Sequence, residues 1–253
     1  MASEKLTFRG ALGEKLVGRL ETPPEGGDPA AVALFAHCFT CSKDLKAAVG
    51  ISRALAEEGV AVLRFDFTGL GESAGDFADT NFSSNVDDLV AAAEFLEDEH
   101  GAPDLLVGHS LGGAAVLQAA SRVPSSVAVA TIGAPADPGH VVRHFDGELE
   151  EIFEREEAEV TLAGRSFTIR RQFVEDLRET RMKATVAELD RALLLFHAPL
   201  DAIVGIDNAA RIYDWARHPK SFVSLAGADH MLSDEADSSY VGRMLATWAG
   251  RYL

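Results

Sequence analysis

The chain repeats one beat. Short, almost wholly apolar runs fall at 31–36, 60–65, 104–108, 127–132, 192–197 and 221–225, and most lead into a longer segment with apolar residues three or four apart. A run of five or six residues that is apolar on both alternating faces must be covered on both sides, the condition of a strand in a mostly parallel sheet flanked by helices. The amphipathic segments at 46–57, 84–99, 110–121, 207–216 and 236–252 supply those helices, with Gly59 and Gly101 placed as C-terminal stops. The first 21 residues alternate apolar and polar positions around a glycine, which predicts an antiparallel hairpin, and 22–29 is a Pro- and Gly-rich loop. The beat breaks at about 138–190. There an acidic stretch, 148–159, read as a solvated helix face, precedes a hairpin-like 160–169 with its turn at Ala163-Gly164, and the whole is expected to be a cap inserted over one end of the sheet. All 253 residues are expected to form one α/β domain.

Charge and cysteine content exclude several functions. Forty acidic against 23 basic side chains give a formal charge of −17, which repels polyanions, so no nucleic-acid partner is expected. The stretch 105–121 lacks charged residues but is broken by Gly108, Gly112 and Gly113, so no membrane span is expected. Glu4, Lys5 and Arg9 interrupt any apolar leader, which points to a cytoplasmic protein. The two cysteines, Cys38 and Cys41, make half a zinc site at best, so neither metal nor cofactor is expected, and the pair is read as packed thiols. Oligomeric state is left open.

The residues that carry chemistry begin with Gly108-His109-Ser110-Leu111-Gly112, which matches G-x-S-x-G where an apolar strand gives way to a small-residue helix. A serine projected from so sharp a turn needs glycines around it, because side chains there would strike the neighbouring strand or helix. Its hydroxyl also needs a base. His230, in the loop after the last strand, is the first candidate, with His37 and His197 at strand ends behind it. A carboxylate must fix the imidazole tautomer; Asp201, after the strand 192–197, is preferred, with Asp137 and Asp207 as rivals. Two backbone amides are needed for an oxyanion, and Leu111 and Phe39 are placed to supply them. His37, His109, Phe145 and Phe173 are candidate substrate contacts, the two phenylalanines as apolar surface in the cap.

Through His37-Cys38-Phe39, Phe65-Asp66-Phe67-Thr68-Gly69-Leu70-Gly71-Glu72-Ser73, the serine turn, Asp201 and His230, the chain resembles the α/β-hydrolase superfamily over nearly its whole length. In 35–44, 81–85 and 132–138 it is similar to the hydrolase often fused to an OsmC-like peroxide-reducing domain, and no such companion is expected within residues 1–253. The resemblance implies an esterase-like serine hydrolase acting on small-molecule esters. Many relatives have glycine where this chain has Cys38, so a differently shaped oxyanion loop is expected. Thioester, amide or carbon–carbon hydrolysis by the same residues is the alternative, and a thiol redox protein using Cys38 and Cys41, or a binder retaining the scaffold, stands outside that class.

Overall fold

The computed structural model describes residues 2–24, 28–162 and 164–253. Part of the 22–29 loop and the Ala163 half of the expected turn lie outside them. Among the described residues ten strands, β1 (Ala2–Arg9), β2 (Lys15–Thr22), β3 (Ala31–Ala36), β4 (Val60–Phe65), β5 (Leu105–His109), β6 (Ala128–Ile132), β7 (Glu157–Leu162), β8 (Arg165–Arg170), β9 (Ala192–His197) and β10 (Lys220–Ser224), form two sheets. The eight-stranded sheet runs β1-β2-β4-β3-β5-β6-β9-β10, and β7 and β8 pair as a second, two-stranded sheet. β1 and β2 are antiparallel, as is β2 against β4; every pairing from β4 to β10 is parallel.

Patterning explains the layers. Every residue of β3, β4, β5, β6 and β9 is buried, as runs sandwiched between helices must be. One face carries α1 (Lys46–Glu57) and α8 (Glu235–Ala249), packed on Phe35, Val62, Val107 and Phe196. The other carries α2 (Phe82–Glu99) and α3 (Leu111–Ala119), packed on Leu34, Leu63, Leu106 and Val129. α2 starts with a reciprocal cap in which Asn81 accepts from the Ser84 amide while the Ser84 hydroxyl accepts from the Asn81 amide. α7 (Asp207–Trp215) connects β9 to β10.

Between β6 and β9 lies the insertion: a 3₁₀ segment (Pro138–Glu148), α4 (Leu149–Arg155), the β7–β8 hairpin, α5 (Arg171–Glu179) and α6 (Met182–Glu188). The acidic stretch is not one helix face. It breaks at Glu156, which turns left-handed at φ 68°, and Glu157 and Glu159 continue on the exposed side of β7 while Ala158 and Val160 point inward. No helix among the described residues is long and apolar enough to cross a membrane.

Candidate active site

Parallel strands place their carboxyl ends along one edge, and that edge collects the chemistry. His37 follows β3, the Ser110 turn follows β5, Gly133 follows β6, and Asp201 and His230 lie in the loops after β9 and β10. Ser110 sits at φ 55° and ψ −125°, a conformation an L-residue holds only when its surroundings impose it. The imposition is visible. The Ser110 amide donates to the Ile132 carbonyl at 2.8 Å, and a Cβ on Gly108 would overlap the Gly112 carbonyl. A Cβ on Gly112 would likewise strike the carbonyl oxygens of His37 and Ala36, so this glycine lets α3 start against the loop after β3.

His230 Nε2 stands 3.0 Å from Ser110 Oγ, and His230 Nδ1 is 2.6 Å from Asp201 Oδ2. The other Asp201 oxygen, Oδ1, accepts the Ile203 and Val204 amides at 2.9 and 2.8 Å, so the carboxylate cannot rotate freely. Burial works to raise the Asp201 pKa, but the His230 hydrogen bond and these amides outweigh it and hold the carboxyl below its ordinary value. An ionised Asp201 then requires His230 to carry its resting proton on Nδ1, leaving Nε2 as an acceptor toward the serine. The rivals are occupied elsewhere: Asp137 caps its own 3₁₀ segment through the Gly139 amide, and Asp207 opens α7. His197 Nε2 donates to the Val204 carbonyl at 2.7 Å, steadying the Asp201 loop.

Phe39 and Leu111 lie on the wall of one small cavity, with His37, Cys38, Phe67, Phe77 and Asn85. Its free space is about 10 Å³, room for roughly one water. Leu111 is the first residue of α3, where amides lack intrahelical partners, and among the described residues the Phe39 amide has no hydrogen-bond partner either. Two amides that share one small cavity, one of them on the residue that follows Ser110, suit an oxyanion. A larger groove of about 560 Å³ between α1 and α8 includes none of Ser110, His230 or Asp201.

His109 lies behind the base and is 1% exposed. Its Nε2 donates to the His230 backbone carbonyl at 2.7 Å, with the rings 5.1 Å apart. Burial first, and the neighbouring His230 second, push its pKa down to about 4, so it is neutral near pH 7. His37 is also buried with a lowered pKa, chiefly through burial, and its Nδ1 donates to the Cys38 carbonyl at 2.8 Å. Of the two, only His109 bonds the His230 segment, whereas His37 stands on the wall of the small cavity with Phe39 and Leu111. Phe145 and Phe173, each 1% exposed, pack into the apolar core beneath the insertion, because α5 and the 3₁₀ segment close over them; Phe173 reaches the Phe39 ring, centroids 5.5 Å apart.

Cys38 and Cys41 require correction: they form a disulfide, because the tight turn after β3 brings residues three apart in sequence together. Two further features escaped the sequence reading. Gly133, at φ 57°, faces the pair, and a Cβ there would stand 3.2 Å from His230 Nδ1 and 3.4 Å from Asp201 Oδ2. Lys43 is buried and bridges Asp66 at 2.9 Å and Glu72 at 2.6 Å, while its amide donates to Asp66 Oδ1. Burial alone would lower the Lys43 pKa, but Glu72, Asp66 and Asp44 raise it to about 12. Gly133 lies in an Ile-Gly-Ala-Pro stretch and Lys43 in a Ser-Lys-Asp stretch, neither of which carries a local signal for these roles.

Among the described residues no group of three or more His, Cys, Asp or Glu side chains could hold a metal ion. Fold and site together define a hydrolase of the α/β type. The chain belongs to the alpha/beta hydrolase family, whose sequence profile matches residues 33–253. The esterase domain of a Rhodothermus marinus protein is 50% identical and superposes with a TM-score of 0.80, covering 100% of this chain and 99% of that one. Est1E from Butyrivibrio proteoclasticus, solved with ferulic acid bound, shares the fold at 22% identity and a TM-score of 0.84, over 97% of this chain and 99% of that one. The mouse palmitoyl-protein thioesterase ABHD10, mitochondrial, is 29% identical over 198 residues, 75% of this chain; the chain thus spans 65% of the length of that relative.

Proposed function

We propose that the protein hydrolyses carboxylic esters through an acyl-enzyme on Ser110. The observation that carries this reading is the continuous line of contacts from Ser110 Oγ to His230 Nε2, and from His230 Nδ1 to Asp201, at 3.0 and 2.6 Å. In the first step His230 takes the Ser110 proton as Oγ bonds to the carbonyl carbon. Asp201 stabilises the imidazolium, and the Phe39 and Leu111 amides receive the developing oxyanion. His230 returns the proton to the leaving alcohol. A water, deprotonated by the same imidazole, then releases the acid and restores the serine.

Short to medium acyl groups are the expected substrates, because the insertion between β6 and β9 is small and its Phe145 and Phe173 are packed in the core rather than lining an open acyl channel. Thioester hydrolysis is the second reading, supported by the palmitoyl-protein thioesterase among the relatives; it needs the same attack and a leaving thiolate that requires less help from His230. The test is fluorophosphonate labelling of the protein and of Ser110→Ala, read by intact mass, followed by matched oxygen and thiol esters of increasing chain length. A single adduct lost in Ser110→Ala is expected. An unlabelled, folded wild type overturns the proposal.

A further inference from the structure

The loop that carries the Phe39 amide is cross-linked across that residue: Cys38 and Cys41 flank Phe39 and Thr40. The four residues form a tight turn in which the Cys41 amide donates to the Cys38 carbonyl at 3.1 Å, and the same carbonyl accepts from His37 Nδ1. Thr40, third in the turn, stands at φ 56°. A turn with positive φ at its third position ordinarily has Gly or Asn there, and a β-branched residue resists it. Local preference therefore opposes the observed turn. The cross-link opposes that preference, and weaker help comes from the insertion, where Arg165 Nη1 donates to the Thr40 carbonyl at 3.3 Å and Phe173 abuts Phe39.

We propose that the Cys38–Cys41 disulfide is a positioning element of the oxyanion site, so that the enzyme is active when oxidised and is turned down when a dithiol reductant opens the bond. This rests on the acyl-enzyme reading of Ser110. Cys38 is buried and Cys41 half-buried, so the incoming thiolate attacks Cys41 Sγ. The Cys41 sulfur bonds to the reductant and Cys38 leaves as a thiolate, which takes up a proton. The second thiol of the reductant then displaces Cys41, leaving two protein thiols and an oxidised, cyclic reductant. Freed of the cross-link, Thr40 relaxes to negative φ and the Phe39 segment leaves the position it holds beside Leu111. Substrate still reaches Ser110. What is lost is stabilisation of the transition state.

The experiment uses wild type and Cys38→Ser/Cys41→Ser, with and without dithiothreitol, assayed on a small nitrophenyl ester after intact mass has verified the gain of two hydrogens. Removal of one oxyanion donor typically costs about 100-fold in kcat. Reduced wild type is expected to lose about that factor in kcat with KM little changed, and to recover on reoxidation. The double variant is expected to match reduced wild type and to ignore the reductant. Circular dichroism establishes that both remain folded, and reversibility on reoxidation separates a local change from unfolding. Fluorophosphonate labelling separates the two readings. Ser110 that labels and turns over equally in both redox states overturns the disulfide proposal alone, whereas a serine unlabelled in both states overturns the acyl-enzyme reading and this proposal with it.

Discussion

Replacing Asp201 by asparagine makes the sharpest test of the relay, because the surroundings dictate which way the new amide must face. Asp201 Oδ1 accepts two backbone amides, from Ile203 and Val204. An asparagine NH₂ in that place would meet two donors with a donor, so the Asn oxygen must occupy it. Its nitrogen is then turned toward His230, where Asp201 Oδ2 now accepts at 2.6 Å. His230 can meet an N–H donor only by leaving Nδ1 unprotonated, which moves its proton to Nε2, opposite Ser110 Oγ. The base is thereby converted into a donor. Loss of the correct tautomer in a Ser-His-Asp site costs about 10,000-fold in kcat, or about 5.5 kcal/mol of barrier at 1.36 kcal/mol per tenfold. Asp201→Ala removes the carboxylate without imposing the wrong tautomer, so Asn is expected to be no better than Ala despite being closer in shape. Initial rates on a nitrophenyl ester give the factor, and ¹⁵N NMR of the imidazole reports the tautomer directly. An Asn variant within tenfold of wild type, or one with the proton still on His230 Nδ1, would refute the reasoning.

Further outcomes follow from the surrounding shell. His109, with its pKa lowered from 6.5 to about 4, stays neutral in the folded chain over a range where the unfolded chain binds a proton. Stability therefore falls as pH drops from 6.5 toward 4 and levels off below that, by up to about 3 kcal/mol, and His37 acts in the same direction. Thermal midpoints across this window should show a shallower slope in His109→Gln, whose amide can still donate to the His230 carbonyl; an unchanged slope refutes the assignment. Lys43→Met strips the buried Asp66 of its partner and should cost about 3–5 kcal/mol in urea unfolding, with part of that recovered in Lys43→Met/Asp66→Asn, which removes the unpaired charge and keeps an oxygen for the Lys43 amide. Gly112→Ala sets a methyl against the His37 and Ala36 carbonyls, and is expected to push the Phe39 loop outward and lower kcat more than KM changes, measured on the same ester.

Much of the fold was legible because burial on both faces leaves a mark that chain order alone preserves. The expected segment 46–57 coincides with α1, and 31–36, 60–65 and 192–197 coincide with β3, β4 and β9. Boundaries moved where the deciding group lies outside the segment: α2 begins at Phe82 rather than 84 because its cap is made by Asn81 and Ser84 together. The acidic stretch misled because solvated carboxylates suit a helix face and an exposed strand face equally, and the left-handed turn at Glu156 chose between them.

The sequence by itself determined the parallel sheet, the serine on its glycine-flanked turn, and the order in which serine, carboxylate and histidine occur, since these depend on periodicity and on glycines that a sharp turn requires near in sequence. Only the tertiary structure decided which histidine and which aspartate meet, because Ser110, Asp201 and His230 come together through strand order across the sheet and not through their spacing. It likewise decided that Phe145 is core, that His109 bonds the His230 backbone, and that Cys38 and Cys41 are bonded. Each of these depends on distances between atoms, and a linear pattern of residue types does not contain them.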